Sequence, residues 1–105
     1  MLFSIILNKY SSDKLAENAQ YWLGEVYYKD KKFDKAAVAF AKGYNNYKNG
    51  SKGADSLLKL GLSMAQIGKK EEACLAFVNL PNEFKKANDS IKAKAKNEAQ
   101  KLGCK

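Results

Sequence analysis

The side chains that most often carry out enzymatic chemistry are scarce in this chain. Histidine is absent, so neither a Ser-His-Asp nor a Cys-His arrangement can assemble, and the commonest metal ligand is missing. Glu71 and Glu72 stand at the start of a predicted helix, where acids favour the positive end of the helix dipole and neighbours point to different faces. Gly24 and Gly61 lie inside predicted helices and form no phosphate-binding loop. The sequence therefore predicts a non-enzymatic protein without a cofactor or metal.

The two cysteines are the remaining reactive groups. Cys74 lies near the start of one predicted helix and Cys104 just past the end of the last one. We expect these helices to pack antiparallel, so the spacing allows a disulfide between the two cysteines. The alternative is that Cys74 is a small buried hydrophobe beside Ala73 while Cys104 lies in a frayed terminus. The sequence leaves both interpretations open.

The charge of the chain is strongly positive, and lysine supplies all of it. The net charge is +8, with no arginine and no histidine. One interpretation is a surface for an acidic protein, for anionic lipid or for nucleic acid. Arginine, which makes the commonest bidentate contact to a base, is absent, and the lysines are scattered among acids, as in Lys69–Glu72. A solvated lysine surface is therefore the simpler interpretation, and no nucleic-acid partner is predicted.

One stretch of the chain is repeated further along at a fixed distance. The segment 21–28 is echoed by the segment 58–65, and Gly24 and Gly61 lie 37 residues apart. The same offset relates three further pairs: Leu23 and Leu60, Ala36 and Ala73, and Phe40 and Phe77. Similarity at a fixed period of this length indicates stacked helix pairs, which bind other proteins far more often than they catalyse reactions.

Apolar residues at helical spacing, together with turn residues, predict one all-α domain over residues 1–105. Its parts are a first repeat at 13–50, a second at 51–88 and a capping helix at 89–105. The predicted helices are Lys14–Lys29, Phe33–Tyr47, Ala54–Ile67, Lys69–Leu80 and Ser90–Leu102. Gly68 and Gly103 are predicted to end helices, and Pro81 to interrupt the fourth.

Helix caps and buried faces follow from the same pattern. We expect Ser12 or Asp13 to cap the first helix, and Asp89 or Ser90 to cap the last. The predicted buried face of the first helix consists of Leu15, Ala19, Trp22, Leu23, Val26 and Tyr27. That of the second consists of Phe33, Ala36, Ala37, Phe40 and Tyr44.

The first residues are apolar but lack the basic region and cleavage site of a signal peptide. At the repeat offset Phe3 aligns with Phe40 and Tyr10 with Tyr47. Residues 1–12 are therefore predicted to be the tail of a second helix whose own first helix is missing, and its uncovered apolar side is expected to favour self-association. No stretch reaches the roughly 18 apolar residues of a membrane span.

Each unit contains a Leu-Gly pair, an aromatic or methionine three residues after the glycine, and an alanine and a phenylalanine in its second helix. The residues are Leu23, Gly24, Tyr27, Ala36 and Phe40, then Leu60, Gly61, Met64, Ala73 and Phe77. This pattern resembles the tetratricopeptide repeat. The resemblance implies a helical solenoid of about two full repeats, with a partial repeat helix before them and a capping helix after them. The period of 37 residues exceeds the usual ~34, and Glu98 replaces the glycine of a third unit.

The resemblance also predicts a binding surface, because tetratricopeptide repeats bind partners in a concave groove lined by their first helices. Carried over by position, the groove candidates are Asn18, Tyr21, Glu25, Tyr28 and Lys29 in the first repeat, and Asp55, Leu58, Leu62, Ala65 and Gln66 in the second. Tyrosine is a favoured interface anchor, so Tyr21 and Tyr28 are the most suggestive. The alternative is that both tyrosines merely cover neighbouring core.

Three segments carry a more specific resemblance. They are Leu15–Tyr28, Asp34–Phe40 and Ala54–Gly61, and together they resemble the C-terminal domain of the CpoB (YbgF) family of Tol–Pal-associated cell division coordinators. The resemblance implies a bacterial periplasmic protein that binds the TolA protein and links outer-membrane constriction to septal peptidoglycan synthesis. The alternatives are a generic scaffold for another assembly and a lysine-rich module that associates with anionic lipid or nucleic acid.

Overall fold

Five α-helices make up most of the described chain. The computed structural model describes residues 14–104 and contains no strand in that range. The helices are α1 (Lys14–Lys29), α2 (Phe33–Asn46), α3 (Gly53–Gln66), α4 (Lys70–Glu83) and α5 (Asp89–Leu102). Each packs on the next, and α5 also contacts α3. The all-α solenoid predicted from the repeat is confirmed, and most helix ends lie within one residue of their predicted positions.

Small residues allow the two helices of each repeat to approach closely. Gly24 of α1 lies under the ring of Phe40 of α2, and Gly61 of α3 lies in the same way under Phe77 of α4. Both phenylalanines are fully buried, as are Ala36 and Ala73 at corresponding positions. The core therefore repeats its geometry at the offset of the sequence, as expected for ridges that pack into grooves.

The turns inside the two repeats use backbone conformations with positive φ. Lys31, between α1 and α2, has φ of 60°, and Gly68, between α3 and α4, has φ of 79°. Glycine adopts this left-handed region without strain, whereas a lysine there carries a modest cost. The predicted role of Gly68 at the end of α3 is confirmed.

The predicted buried face of α1 is wrong for its largest residues. Leu15, Trp22 and Val26 are exposed, Trp22 at 46%. The face that meets α2 instead carries Gly24 and Gln20, whose side-chain amide donates a buried hydrogen bond of 2.8 Å to the Ala39 carbonyl. Hydropathy misses this face because close approach requires small side chains, and because a buried amide is tolerated once its hydrogen bond is made.

The fourth helix continues through Pro81 and ends at Glu83, so the prediction that Pro81 ends it is wrong. A proline in the last turn removes only the amide that would bond the Phe77 carbonyl, and its fixed φ still suits a helix. The irregular connection is correspondingly shorter than predicted and spans residues 84–88.

The capping helix α5 begins one residue earlier than predicted. Its N-cap is Asn88, whose Oδ1 accepts a hydrogen bond of 2.8 Å from the Ile91 amide, and neither Asp89 nor Ser90 has that role. The helix ends at Gly103 in the left-handed conformation, as predicted. Ala95 is the one fully buried residue of α5, and Ile91, Ala99 and Leu102 pack against the same core cluster while partly buried.

A disulfide joins the start of α4 to the end of α5. Cys74 and Cys104 lie 5.5 Å apart between their Cα atoms, and their sulfur atoms are bonded. The bond ties the C-terminal end of α5 to α4, on which α5 packs. Within residues 14–104, no helix is long and apolar enough to cross a membrane. The predicted helix tail at residues 1–12, and the proposed caps Ser12 and Asp13, lie outside the described residues.

Candidate functional site

An ion pair links the first helices of the two repeats. Lys59 Nζ of α3 lies 3.1 Å from Glu25 Oε1 of α1, with both side chains largely buried. At the start of α1, Ser51 Oγ donates a hydrogen bond of 3.1 Å to Glu17 Oε1. These contacts connect α1 to α3 and to the turn that precedes α3.

Two tyrosine rings on this surface each lie near a lysine. Lys52 Nζ is 5.0 Å from the centre of the Tyr21 ring, and Lys59 Nζ is 5.8 Å from that of Tyr28. The second ring also packs edge-on against Phe33, at 5.0 Å between centres. Ammonium groups at these distances are attracted to the ring faces. Lys59 therefore interacts with both Glu25 and Tyr28.

The predicted groove residues separate into three groups by burial. Asn18, Lys29 and Gln66 are exposed, and five others are partly buried: Glu25, Tyr28, Asp55, Leu62 and Ala65. Tyr21 and Leu58 are only 7% and 6% exposed and belong to the two core clusters. For Tyr21 the alternative interpretation, that it covers neighbouring core, agrees with its burial.

Acidic groups surround the Tyr21 hydroxyl. Burial raises the pKa of Tyr21 well above its ordinary value, and the negative charges of Glu25 and Asp55 raise it further. The phenol therefore stays neutral at physiological pH.

Sequence reasoning missed Lys52 and Lys59. Neither occupies a groove position of the repeat, yet both lysines interact with predicted groove residues. Lys59 corresponds by offset to Trp22, so the repeat pattern predicts a packing residue there. A search for opposite charges on neighbouring first helices would have suggested the pairing of Lys59 with Glu25.

A second polar cluster joins the ends of α2 and α4. The Tyr44 hydroxyl donates to Glu83, and Lys48 Nζ lies 2.5 Å from Glu83 Oε1. Hydrogen bonds from Lys48 and Tyr44 hold the pKa of Glu83 below its usual value, and the same bond to Glu83 raises the pKa of Lys48. Burial and the Glu83 hydrogen bond raise the pKa of Tyr44. The ring of Phe84 packs edge-on against Tyr44, so this cluster stabilises the junction between repeats.

Nothing in these arrangements resembles a catalytic centre. Across residues 14–104, no three His, Cys, Asp or Glu side chains come together as a possible metal site. The described surface of α1 and α3 instead combines a half-buried tyrosine with an ion pair between the two helices. Such a combination is typical of protein-binding surfaces.

Comparison with protein families agrees with this architecture. Residues 18–49 and 55–87 match the model described as tetratricopeptide repeat, and the two matches correspond to α1 with α2 and to α3 with α4. No curated protein matches the chain. The matched family generally provides scaffolds for protein–protein interaction and not enzymes. Because the matches cover more than half of its residues, the chain belongs to the tetratricopeptide-repeat family.

Proposed function

We propose that this protein binds a protein partner on the α1/α3 surface, which we define by Asn18, Glu25, Tyr28, Asp55, Lys59 and Leu62. The observation that carries the proposal is the ion pair between Glu25 and Lys59 beside the ring of Tyr28. It places an aromatic anchor, an acid and a base side by side on two helices. A partner is recognised there by the positions of its own charges around one apolar contact.

The ion pair also affects which partners bind well. Lys59 is already satisfied by Glu25, so a partner carboxylate gains only by sharing that ammonium. Breaking a largely buried pair without replacing it is costly, because it leaves an uncompensated charge. The favoured partner therefore leaves the pair intact and packs on Tyr28 and Leu62, with polar groups directed to Asn18 and Asp55.

The more specific proposal concerns the cell envelope. The resemblance of three segments to the Tol–Pal-associated cell division coordinators suggests a periplasmic protein whose partner is TolA and whose role is to couple outer-membrane constriction to septal peptidoglycan synthesis. The bond between Cys74 and Cys104 supports an oxidising compartment, since disulfides persist there and are rare in the cytosol.

The lysine-rich composition also allows association with anionic lipid or nucleic acid. The structure gives this alternative less support, because several lysines are paired with acids: Lys48 with Glu83, Lys59 with Glu25, Lys69 with Glu72 and Lys101 with Glu98. Salt concentration separates the proposals. Binding to a polyanion weakens steeply as salt rises, whereas binding through an aromatic anchor changes little.

Calorimetric titration with purified TolA tests both the assignment of the α1/α3 surface and the cell-envelope proposal. The variant is Tyr28→Ala, and the matched control is Val38→Ala, an exposed apolar residue of α2 on the outer helix of the same repeat. We expect Tyr28→Ala to weaken binding by about 1–3 kcal/mol and Val38→Ala to leave it unchanged. Absence of any TolA binding removes the envelope proposal. Equal losses for the two variants contradict the assignment of the surface.

A further inference from the structure

A second apolar surface runs along the seam between α4 and α5, on elements that the α1/α3 surface does not use. Two clefts, of about 590 and 380 Å³, lie along this seam and share Val78 in their walls. Val78 is 41% exposed and Leu75 is 63% exposed. Pro81 lines one cleft and the disulfide lines the other. We call this continuous depression the α4/α5 valley.

The charges along the α4/α5 valley are mostly positive. Lys70 lines one cleft, Lys92 and Lys96 line the other, and Glu71 is the single acid among the lining residues. Lys92 donates a hydrogen bond to the Lys85 carbonyl, which holds its ammonium in place without neutralising it. An apolar surface that has lysines along its edges is complementary to an apolar stripe that is flanked by acidic residues.

The fold itself indicates what kind of element fits such a valley. Each helix of this solenoid packs against the one before it, and α5 lies against both α3 and α4. The valley between α4 and α5 is the same type of surface, formed by the next pair of helices along the chain. Tyr44 of α2 contacts Phe84, which follows α4. The residue that corresponds to Tyr44 at the repeat offset is Pro81, and Pro81 lines an open cleft. A helix is therefore the element that this surface accommodates.

We infer that the α4/α5 valley binds an amphipathic helix of a partner protein, with an apolar stripe that packs on Leu75, Val78 and Pro81 and acidic residues that meet Lys70 and Lys96. The interaction extends the solenoid by one helix supplied from outside. It is separate from partner binding on the α1/α3 surface, since the two sets of residues do not overlap.

The disulfide makes this binding dependent on oxidation. Cys74 and Cys104 form part of the valley wall, and their bond holds α5 beside α4. A dithiol reduces the bond by donating two electrons and two protons to it, so the dithiol becomes a disulfide and the protein is left with two thiols. Because Cys104 follows the last turn of α5, reduction frees that end of the helix and is expected to loosen one wall of the valley.

The test uses a fluorescent acetylated peptide of roughly 18 residues, long enough to form a helix, with leucine on one face and glutamate on its flanks. A second peptide carries lysine in place of every glutamate. Fluorescence anisotropy measures the affinity of each for the whole chain. The variants are Val78→Glu and Lys96→Glu, and the control is Val38→Glu, which changes a 56% exposed valine of α2 outside the valley.

We expect the acidic peptide to bind, the lysine peptide to bind at least tenfold more weakly, and Val78→Glu and Lys96→Glu each to weaken binding by roughly tenfold. Reduction with dithiothreitol should weaken it similarly, while Val38→Glu should not. Equal affinity for the two peptides overturns the inference, as does an equal effect of Val78→Glu and Val38→Glu. Dimers of the chain that Val78→Glu abolishes would also overturn it, by assigning the valley to a second copy. Since none of these variants touches Tyr28, failure here leaves the α1/α3 proposal intact.

Discussion

Gly24 has no room for a side chain because the ring of Phe40 lies against it. A Cβ atom added to Gly24 would be 2.5 Å from Phe40 Cε1, and one added to Gly61 would be 2.6 Å from Phe77 Cε1. The contact thus occurs twice, once in each repeat. It explains why a glycine, which ordinarily weakens a helix interior, stands in the middle of both α1 and α3.

The first prediction follows from this contact. Gly24→Ala and Gly61→Ala are each expected to lower the free energy of unfolding by about 1–3 kcal/mol, because the overpacking cost exceeds the gain of roughly 1 kcal/mol in helix propensity. Urea unfolding measures the change. Gly43→Ala is the control, since its added Cβ would lie 3.1 Å from the Ser56 hydroxyl, which is a milder contact. A larger loss at Gly43 than at Gly24 would contradict the account.

The second prediction concerns the disulfide. Reduction of the bond between Cys74 and Cys104 releases a constraint on the unfolded chain and is expected to cost up to about 3–4 kcal/mol of stability. Because α5 has one fully buried residue and α3 has seven, the amides of α5 should exchange with solvent before those of α3 do. Hydrogen exchange with and without dithiothreitol measures this. Two free thiols in protein from an oxidising compartment, or identical exchange of α5 in both states, would refute it.

The third prediction is a pH dependence. Hydrogen bonds from Lys48 and Tyr44 lower the pKa of Glu83 in the folded state. The contribution of Glu83 to folding stability is therefore present at pH values above its ordinary pKa of 4.5, and it is lost as the pH falls below that value. In Glu83→Gln this contribution is absent. The melting temperatures of wild type and variant should therefore differ at neutral pH and converge in acid. The group is exposed, so the difference is expected to be small.

The alkaline side of the same cluster gives a check. Lys48 has a raised pKa in the folded state, so its contribution to folding stability persists at pH values below its ordinary pKa of 10.5. The contribution disappears only as the pH rises past that value. The melting temperatures of Glu83→Gln and wild type should therefore differ by a constant amount between neutral pH and moderately alkaline pH. A difference that grows steadily over that range would contradict the assignment.

The fourth prediction concerns the exposed stripe of Leu15, Trp22 and Val26 on α1. An apolar stripe of this size favours association, in line with the self-association expected for the N-terminal part of the chain. Sedimentation should show concentration-dependent dimers that weaken in Trp22→Lys but not in the control Val38→Lys. A strict monomer at high concentration would remove the idea. Trp22 is the single tryptophan, so its fluorescence reports the same event.

The sequence predicted the repeat and its core contacts well, because they depend on local spacing. The offset showed that Gly24 corresponds to Gly61 and Phe40 to Phe77, and helix boundaries followed from turn residues such as Gly68 and Gly103. Hydropathy failed on α1. It marks large apolar residues as buried, but the tightly packed face needed small residues and could include Gln20 once its amide was hydrogen-bonded.

The candidate surface was harder to predict than the fold. Groove positions taken from the repeat correctly placed Glu25 and Tyr28 near α3, but they also included Tyr21 and Leu58, which are buried. Whether a tyrosine is exposed depends on the crossing of neighbouring helices, which the repeat spacing does not specify. The pairing of Lys59 with Glu25 likewise depends on a contact between residues of different repeats.

The most direct test of the central claim selects ligands without assuming a partner. A random peptide display library is panned against the oxidised chain, and the selected peptides are titrated while backbone amide shifts are followed by NMR. The account predicts that a set of peptides shifts Asn18, Glu25, Tyr28, Asp55 and Leu62, and loses affinity by about 1–3 kcal/mol in Tyr28→Ala. Selected peptides that leave the α1/α3 surface unperturbed, or bind Tyr28→Ala as tightly as wild type, would contradict it.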